Sequence, residues 1–190
     1  MEKRKELRVA ALTKGQIRTT ILDRLNNQKE ERRKRKNALI AGKLFRTRVF
    51  KWAKIVMFYK ALPGEVDTAE MIKKAIALGK MVVVPVCGHD KTIIPCILKL
   101  GGKLLRGPYG IWEPAVKRSV DPKKIDLVIV PGLAFSLKGK RLGRGKGYYD
   151  RFLKRLSRRA ATVGVAFDFQ ILPDLPTTPL DVDVQRVVFA

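Results

Sequence analysis

The stretch Asp126-Leu127-Val128-Ile129-Val130-Pro131-Gly132 is an unbroken aliphatic run, opened by a carboxylate and closed by Pro-Gly. A strand with one wet face alternates apolar and polar residues. A continuous apolar run stopped by turn formers suits a strand buried on both faces, as in a parallel sheet. Working outward, similar blocks recur on either side. Ile55–Tyr59, Met81–Val86, Ala161–Phe167 and Arg186–Phe189 read as further strands, with helical patterns at Thr68–Leu78, ended by Gly79, and at Tyr148–Arg158. Thr92–Lys99 adds a strand, either a hairpin partner or part of a substrate-bearing layer, and the Gly- and Pro-rich stretch Gly101–Lys124 reads as mostly loop. Upstream, residues 2–27 read as a helix interrupted near Thr13-Lys14-Gly15. After Asn26-Asn27 a second helix runs over Glu30–Lys51. Strands alternating with helices predict an α/β fold with a mostly parallel sheet covered on both faces. The expectation is one domain over residues 1–190, with a helical part, 1–53, packed on the sheet.

Composition narrows the partners. The chain has 190 residues, of which 46% are hydrophobic, enough for a sizeable core. No apolar block approaches the ~20 residues of a membrane span. Met1-Glu2-Lys3-Arg4-Lys5-Glu6 is charged and lacks the apolar stretch of a signal peptide, so a cytoplasmic location and no membrane partner are expected. Cys87 and Cys96 sit in strand-like sequence, and His89 is the only histidine. Reduced thiols suit that pattern better than a metal site. The formal charge of +24 attracts polyanions. The run Arg32-Arg33-Lys34-Arg35-Lys36 has no interleaved aromatics for base stacking and reads as the solvated face of a surface helix. Nucleic acid is therefore not expected as a partner.

Chemistry concentrates between the central strand and the next helix, in Arg141-Leu142-Gly143-Arg144-Gly145-Lys146-Gly147-Tyr148-Tyr149-Asp150. This segment lies at the carboxyl end of a strand, where open α/β sheets hold ligands. Three alternate glycines let backbone N–H groups approach an anion, and a helix N-terminus adds positive potential. Arg141, Arg144 and Lys146 supply full charges, so phosphate is the natural occupant. The spacing is neither the dinucleotide fingerprint nor a P-loop. Tyr148 and Tyr149 offer aromatic faces to a planar ligand or else pack on the sheet. Asp150 either holds Mg2+ or complements the first helical turn.

With Val130-Pro131-Gly132-Leu133-Ala134-Phe135 and Gly139, this loop resembles the signature of the 5-formyltetrahydrofolate cyclo-ligase family. The likeness extends to Arg4-x-x-Leu7-Arg8, Gly64-Glu65-Val66-Asp67-Thr68, Gly110-Ile111-x-Glu113-Pro114, Phe167-Asp168-Phe169-Gln170, Leu172-Pro173 and Asp181-Val182-x-Val184. Two positions depart from the family pattern: Leu180 precedes Asp181 where a polar residue is usual, and Ser136 follows Ala134-Phe135 where an acid is common. The resemblance implies a three-layer α/β sandwich similar to sugar-phosphate isomerases and CoA transferases. It implies ATP-dependent ring closure of 5-formyltetrahydrofolate to 5,10-methenyltetrahydrofolate, with release of ADP and phosphate. The partners expected are ATP and 5-formyltetrahydrofolate, with or without a polyglutamate tail, and the expected state is a monomer.

The same resemblance assigns roles. Arg144 and Lys146 are the catalytic cations. ATP is met by Arg4, Lys5, Glu6, Leu7 and Arg8 and by Arg141, Leu142, Gly143, Arg144, Gly145, Lys146, Gly147, Tyr148 and Tyr149. Folate is met by Tyr59, Glu65, Tyr109 and Trp112 together with Arg144, Gly145, Lys146, Gly147 and Tyr148, with Glu65 accepting from the pterin edge. Asp150 and Asp181 hold Mg2+. Rival readings are a basic nucleic-acid-binding protein and a sugar-phosphate isomerase that needs no ATP.

Overall fold

The structure is a computed structural model that describes residues 12–99, 101–107, 110 and 112–190. Helices α1 (Lys14–Asn26), α2 (Glu30–Arg46) and α3 (Arg48–Trp52) precede strand β1 (Ile55–Met57). Helix α4 (Ala69–Ala77) leads into β2 (Met81–Cys87), β3 (Ile93–Ile97), β4 (Leu104–Arg106), β5 (Trp112–Pro114) and β6 (Leu127–Val130). Strands β7 (Ala134–Phe135) and β8 (Arg141–Leu142), helix α5 (Tyr148–Leu153), β9 (Ala161–Ala166) and β10 (Arg186–Phe189) complete the order.

Six strands form one sheet in the order β10-β9-β6-β1-β2-β3, parallel throughout except for β3, which runs antiparallel to β2. The aliphatic run Leu127–Val130 is central β6, buried at every position. Successive side chains of a strand face opposite ways, and the two cores follow that alternation. Val56, Leu127, Ile129, Val163 and Val165 face Ile17, Ile21, Ile40, Leu44, Phe50 and Met71 of α1–α4. Met57, Val83, Val128 and Val130 face Phe152 and Leu153 of α5. Helices on both faces of a mostly parallel sheet make the expected three-layer sandwich. Among the described residues no helix is long and apolar enough to cross a membrane.

Several boundaries differ from the sequence expectation. The interruption at Thr13–Gly15 is a helix start: Thr13 accepts from the Gln16 N–H, and the Gln16 side chain accepts from the Thr13 N–H. The helix expected over Glu30–Lys51 is two, because the Thr47 hydroxyl donates to the Leu44 carbonyl and caps α3 by accepting from the Phe50 N–H. The stretch expected as loop contains the β4–β5 ribbon. Buried Glu113 docks this ribbon on the main sheet by accepting from the Cys87 N–H. The last helix stops at Leu153 rather than Arg158, its end tightened by bonds from Arg155 to Phe152 and from Leu156 to Leu153.

Candidate active site

Where β1, β2 and β6 end, the sheet opens into a cleft of about 860 Å³. Its wall holds Tyr59 after β1, Cys87 at the end of β2, Pro131–Leu133 after β6, the whole segment Arg141–Asp150, Lys14 and Arg18 from α1, and Thr178, Leu180 and Asp181. The cleft thus lies at the carboxyl edge of the parallel strands, where open α/β sheets hold ligands.

The β7–β8 hairpin launches the glycine loop. Its turn is closed by Ser136, whose hydroxyl and carbonyl accept from the Lys140 and Gly139 N–H groups. Ser136 therefore has a structural task. Gly139 has φ 94°, and a Cβ there would lie 2.1 Å from the Val184 carbonyl oxygen, so only glycine fits. Two arginines then fasten the loop's carbonyls. Arg18 Nε donates to the Gly143 oxygen at 3.0 Å, and Arg151 Nη2 donates to the Lys146 oxygen at 2.9 Å. Arg151 also donates to the carbonyl of Lys91, which together with Asp90 adopts the left-handed backbone region. The N–H groups of Gly143, Arg144 and Gly145 find no acceptor among the described residues. Residues 144–146 are exposed. Backbone donors and cations thus face an open cleft, an arrangement suited to an anion.

The expected site residues fall into distinct environments. Lys146 and Arg144 stand at the cleft. Arg144 donates through Nε and Nη2 to Glu65 Oε1 at 3.1 and 2.8 Å, and Glu65 Oε2 accepts from the Leu62 N–H. Glu65 is thus engaged by an arginine rather than standing open as an acceptor. Arg141 is buried and ion-paired with Asp150, whose Oδ1 also accepts from the Val182 N–H. Asp181 is ion-paired with Lys14 and accepts from the Thr178 N–H and hydroxyl. Neither aspartate is an open carboxylate. Among the described residues no group of three or more His, Cys, Asp and Glu side chains could hold a metal.

Tyr149 reaches the cleft, but its hydroxyl is buried without a hydrogen-bond partner among the described residues, and burial pushes its pKa up strongly. Tyr59 is part of the core; its hydroxyl donates to the Val66 carbonyl at 2.8 Å, so it meets the cleft without a free polar group. Trp112, 53% exposed on the β4–β5 ribbon, does not line the cleft. Arg4, Lys5, Glu6, Leu7, Arg8 and Tyr109 lie outside the described residues. Burial raises the Cys87 thiol's pKa and the Glu113 carboxylate adds to the rise, so Cys87 is a poor nucleophile despite lining the cleft.

Sequence reasoning missed Lys14, Arg18 and Arg151. Lys14 and Arg18 are spaced i, i+4 on α1, one face of one helix, and that spacing was available as a signal. Gln170, part of the resemblance but given no role by it, donates through Nε2 to the Gly132 and Leu133 carbonyls and so fixes the turn that ends β6 at the cleft floor.

Comparison with known proteins bears on this geometry. Residues 10–190 match the family model described as the 5-formyltetrahydrofolate cyclo-ligase family. The 5-formyltetrahydrofolate cyclo-ligase of Mus musculus is 27% identical over 185 residues, 91% of each chain. That of Escherichia coli K12 is 31% identical over 157 residues, covering 77% of this chain and 86% of its own. Among solved structures, the Aquifex aeolicus 5,10-methenyltetrahydrofolate synthetase superposes with a TM-score of 0.84 at 34% identity, covering 94% of this chain and 90% of that one.

Proposed function

The chain belongs to the 5-formyltetrahydrofolate cyclo-ligase family, and from that premise we propose that the cleft closes the ring of 5-formyltetrahydrofolate to 5,10-methenyltetrahydrofolate at the expense of ATP. The observation that carries the reading is the glycine loop. Its amides and cations sit beside a cleft of about 860 Å³. Among the described residues that line it, the carboxylates of Glu65, Asp150 and Asp181 are ion-paired and burial pushes the Cys87 thiol's pKa up.

The chemistry explains the need for a nucleotide. The formyl oxygen on N5 is amide-like and a poor leaving group. Attack of that oxygen on the γ-phosphorus breaks the bond to ADP and gives an iminium phosphate. N10 then attacks the formyl carbon and loses its proton. Departure of phosphate, driven by the nitrogen lone pair, leaves the conjugated methenyl bridge. Such phosphoryl transfer asks the protein for positioning and charge neutralisation rather than covalent participation. Lys146 and the amides of Gly143–Gly145 would neutralise the γ-phosphoryl oxygens. Arg18 and Arg151 hold the loop in shape through its carbonyls. Glu65, already fixed by the Leu62 N–H, presents Arg144 to the space between nucleotide and folate.

Mg2+ ordinarily takes one or two carboxylates together with phosphate oxygens. The ion pairs of Asp150 and Asp181 use Oδ1 and Oδ2 respectively, so the other oxygen of each would be the ligand for an ion that arrives with ATP. Bound there, it would offset phosphate charge.

The test is spectroscopic. Wild type with 5-formyltetrahydrofolate and Mg·ATP should generate the methenyl absorbance, none should form without ATP, and Lys146→Ala should lower kcat by about a hundredfold. ATP-independent turnover, or an unchanged Lys146→Ala rate, would sink the assignment.

A further inference from the structure

At the pole opposite the cleft, four neighbouring strands of the sheet each begin beside cationic residues. Along the order β9-β6-β1-β2 these are Arg158-Arg159, Lys123-Lys124, Lys54 and Lys80. Strand register brings their starts level: Ala161 pairs with Leu127, Leu127 with Val56, and Ile55 with Met81. Backbone bonds from Ala161 to Asp126, from Asp126 to Ile55 and from Met81 to Lys54 join the starts directly. At about 4.8 Å per strand the row extends over roughly 14 Å.

Helix α3 ends on the same edge. Lys80 Nζ donates to the carbonyls of Lys51 and Ala53, which fastens exposed Arg48, Lys51 and Trp52 to one end of the row. Trp52 is 83% exposed, an unusual state for the largest apolar side chain. The acids at this edge, Asp121 and Asp126, are turned onto backbone N–H groups, those of Lys123 and of Lys54 and Ile55. None of these residues lines the cleft.

We infer that this edge is a second ligand surface, for single-stranded nucleic acid. A free nucleotide or phosphate is held by donors converging on one point, whereas these cations stand in a line on open surface, matching a chain of phosphates. A planar aromatic beside such a line supplies a stacking platform that accepts any base. A lipid surface would instead call for an amphipathic helix with a continuous apolar face, and α3 has five residues. The sequence hides the surface because its exposed cations come from positions 54, 123, 124, 158 and 159, with Lys80 spent on tying α3 to them, apart from the conspicuous run Arg32–Lys36.

Fluorescence anisotropy of a short labelled single-stranded RNA against the full chain tests the inference. Binding should weaken with salt on a log–log slope of about −3, from roughly four phosphate contacts. Lys54→Glu, Lys124→Glu and Arg159→Glu combined should weaken it at least about tenfold while the far-ultraviolet circular dichroism and urea midpoint stay near those of the wild type, which shows the fold intact. Trp52→Ala should weaken it by about fivefold or more, with partial recovery in Trp52→Phe. The inference is overturned by no binding at low salt, by binding indifferent to the triple variant, or by displacement of the RNA with Mg·ATP, which would put it in the cleft. Binding to phosphatidylserine vesicles without binding to RNA overturns it as well. These readouts do not depend on ring closure, so this inference and the proposed activity fail separately.

Discussion

Arg141 buries its guanidinium to 3% side-chain exposure, and Asp150, at 21%, is the carboxylate that compensates it. A buried charge left without its partner is far more costly than the pair is worth. Asp150→Ala should therefore lower unfolding free energy by about 3 kcal/mol, read from urea midpoints, in addition to any loss of activity. A purely ion-binding aspartate would leave the midpoint nearly unmoved in the absence of magnesium. The Lys14–Asp181 pair gives a different signature. Burial alone would raise the Asp181 pKa, but Lys14 and the Thr178 donors outweigh it and hold it below the ordinary value. A carboxylate lowered in the folded state contributes stability that is complete above its unfolded pKa and is lost as pH falls through the folded one. The urea midpoint should start to fall below about pH 4, and Lys14→Met should make that acid loss smaller. A midpoint with the same acid dependence in both proteins would show that Lys14 does not hold Asp181.

The elements around the cleft depend on one aromatic packed between two bare backbones. Phe135 of β7 is fully buried; Cβ atoms at Gly164 and Gly132 would lie 2.4 and 2.5 Å from its ring. Gly164→Ala should cost about 2 kcal/mol by overpacking, and a second change, Phe135→Leu, should recover part of that cost, since it removes the atoms in the way. Additive losses in the double variant would refute the contact as the cause. The same elements show what a sequence discloses. Leu127–Val130 and its parallel neighbours were legible because strands buried on both faces must be short apolar runs. The α2–α3 break was not, since it turns on where one hydroxyl, Thr47, donates. The β4–β5 ribbon was hidden for a related reason: buried Glu113 anchors it through the distant Cys87 N–H, and no local periodicity encodes such a bond. At the cleft, the glycine loop announced itself by composition. Its restraints, Arg18 and Arg151, are respectively 125 residues and five residues from the carbonyls they hold. Proximity in sequence did not help either, because an exposed arginine in a helix looks the same whether or not it grips a loop.

The molecule as a whole carries +24 in 190 residues. Like charges at that density repel one another in the folded state, while the same field raises the local concentration of polyanions, which under the proposed function means Mg·ATP at the cleft. Added salt screens both effects, because the Debye length falls from about 30 Å at 0.01 M to about 8 Å at 0.15 M. One cause thus predicts two opposite responses to sodium chloride. The urea midpoint of the unliganded protein should rise as repulsion is screened, and KM for Mg·ATP should rise too, as attraction is screened. The chemical step inside the cleft, governed by groups within contact distance, should leave kcat much less affected. Measuring all three over the same salt series separates a global field from local pairing. If the midpoint fell with salt, the surface ion pairs, such as Lys34–Glu30 and Lys73–Glu70, would outweigh the net repulsion. That result would contradict the small worth expected of pairs as exposed as these.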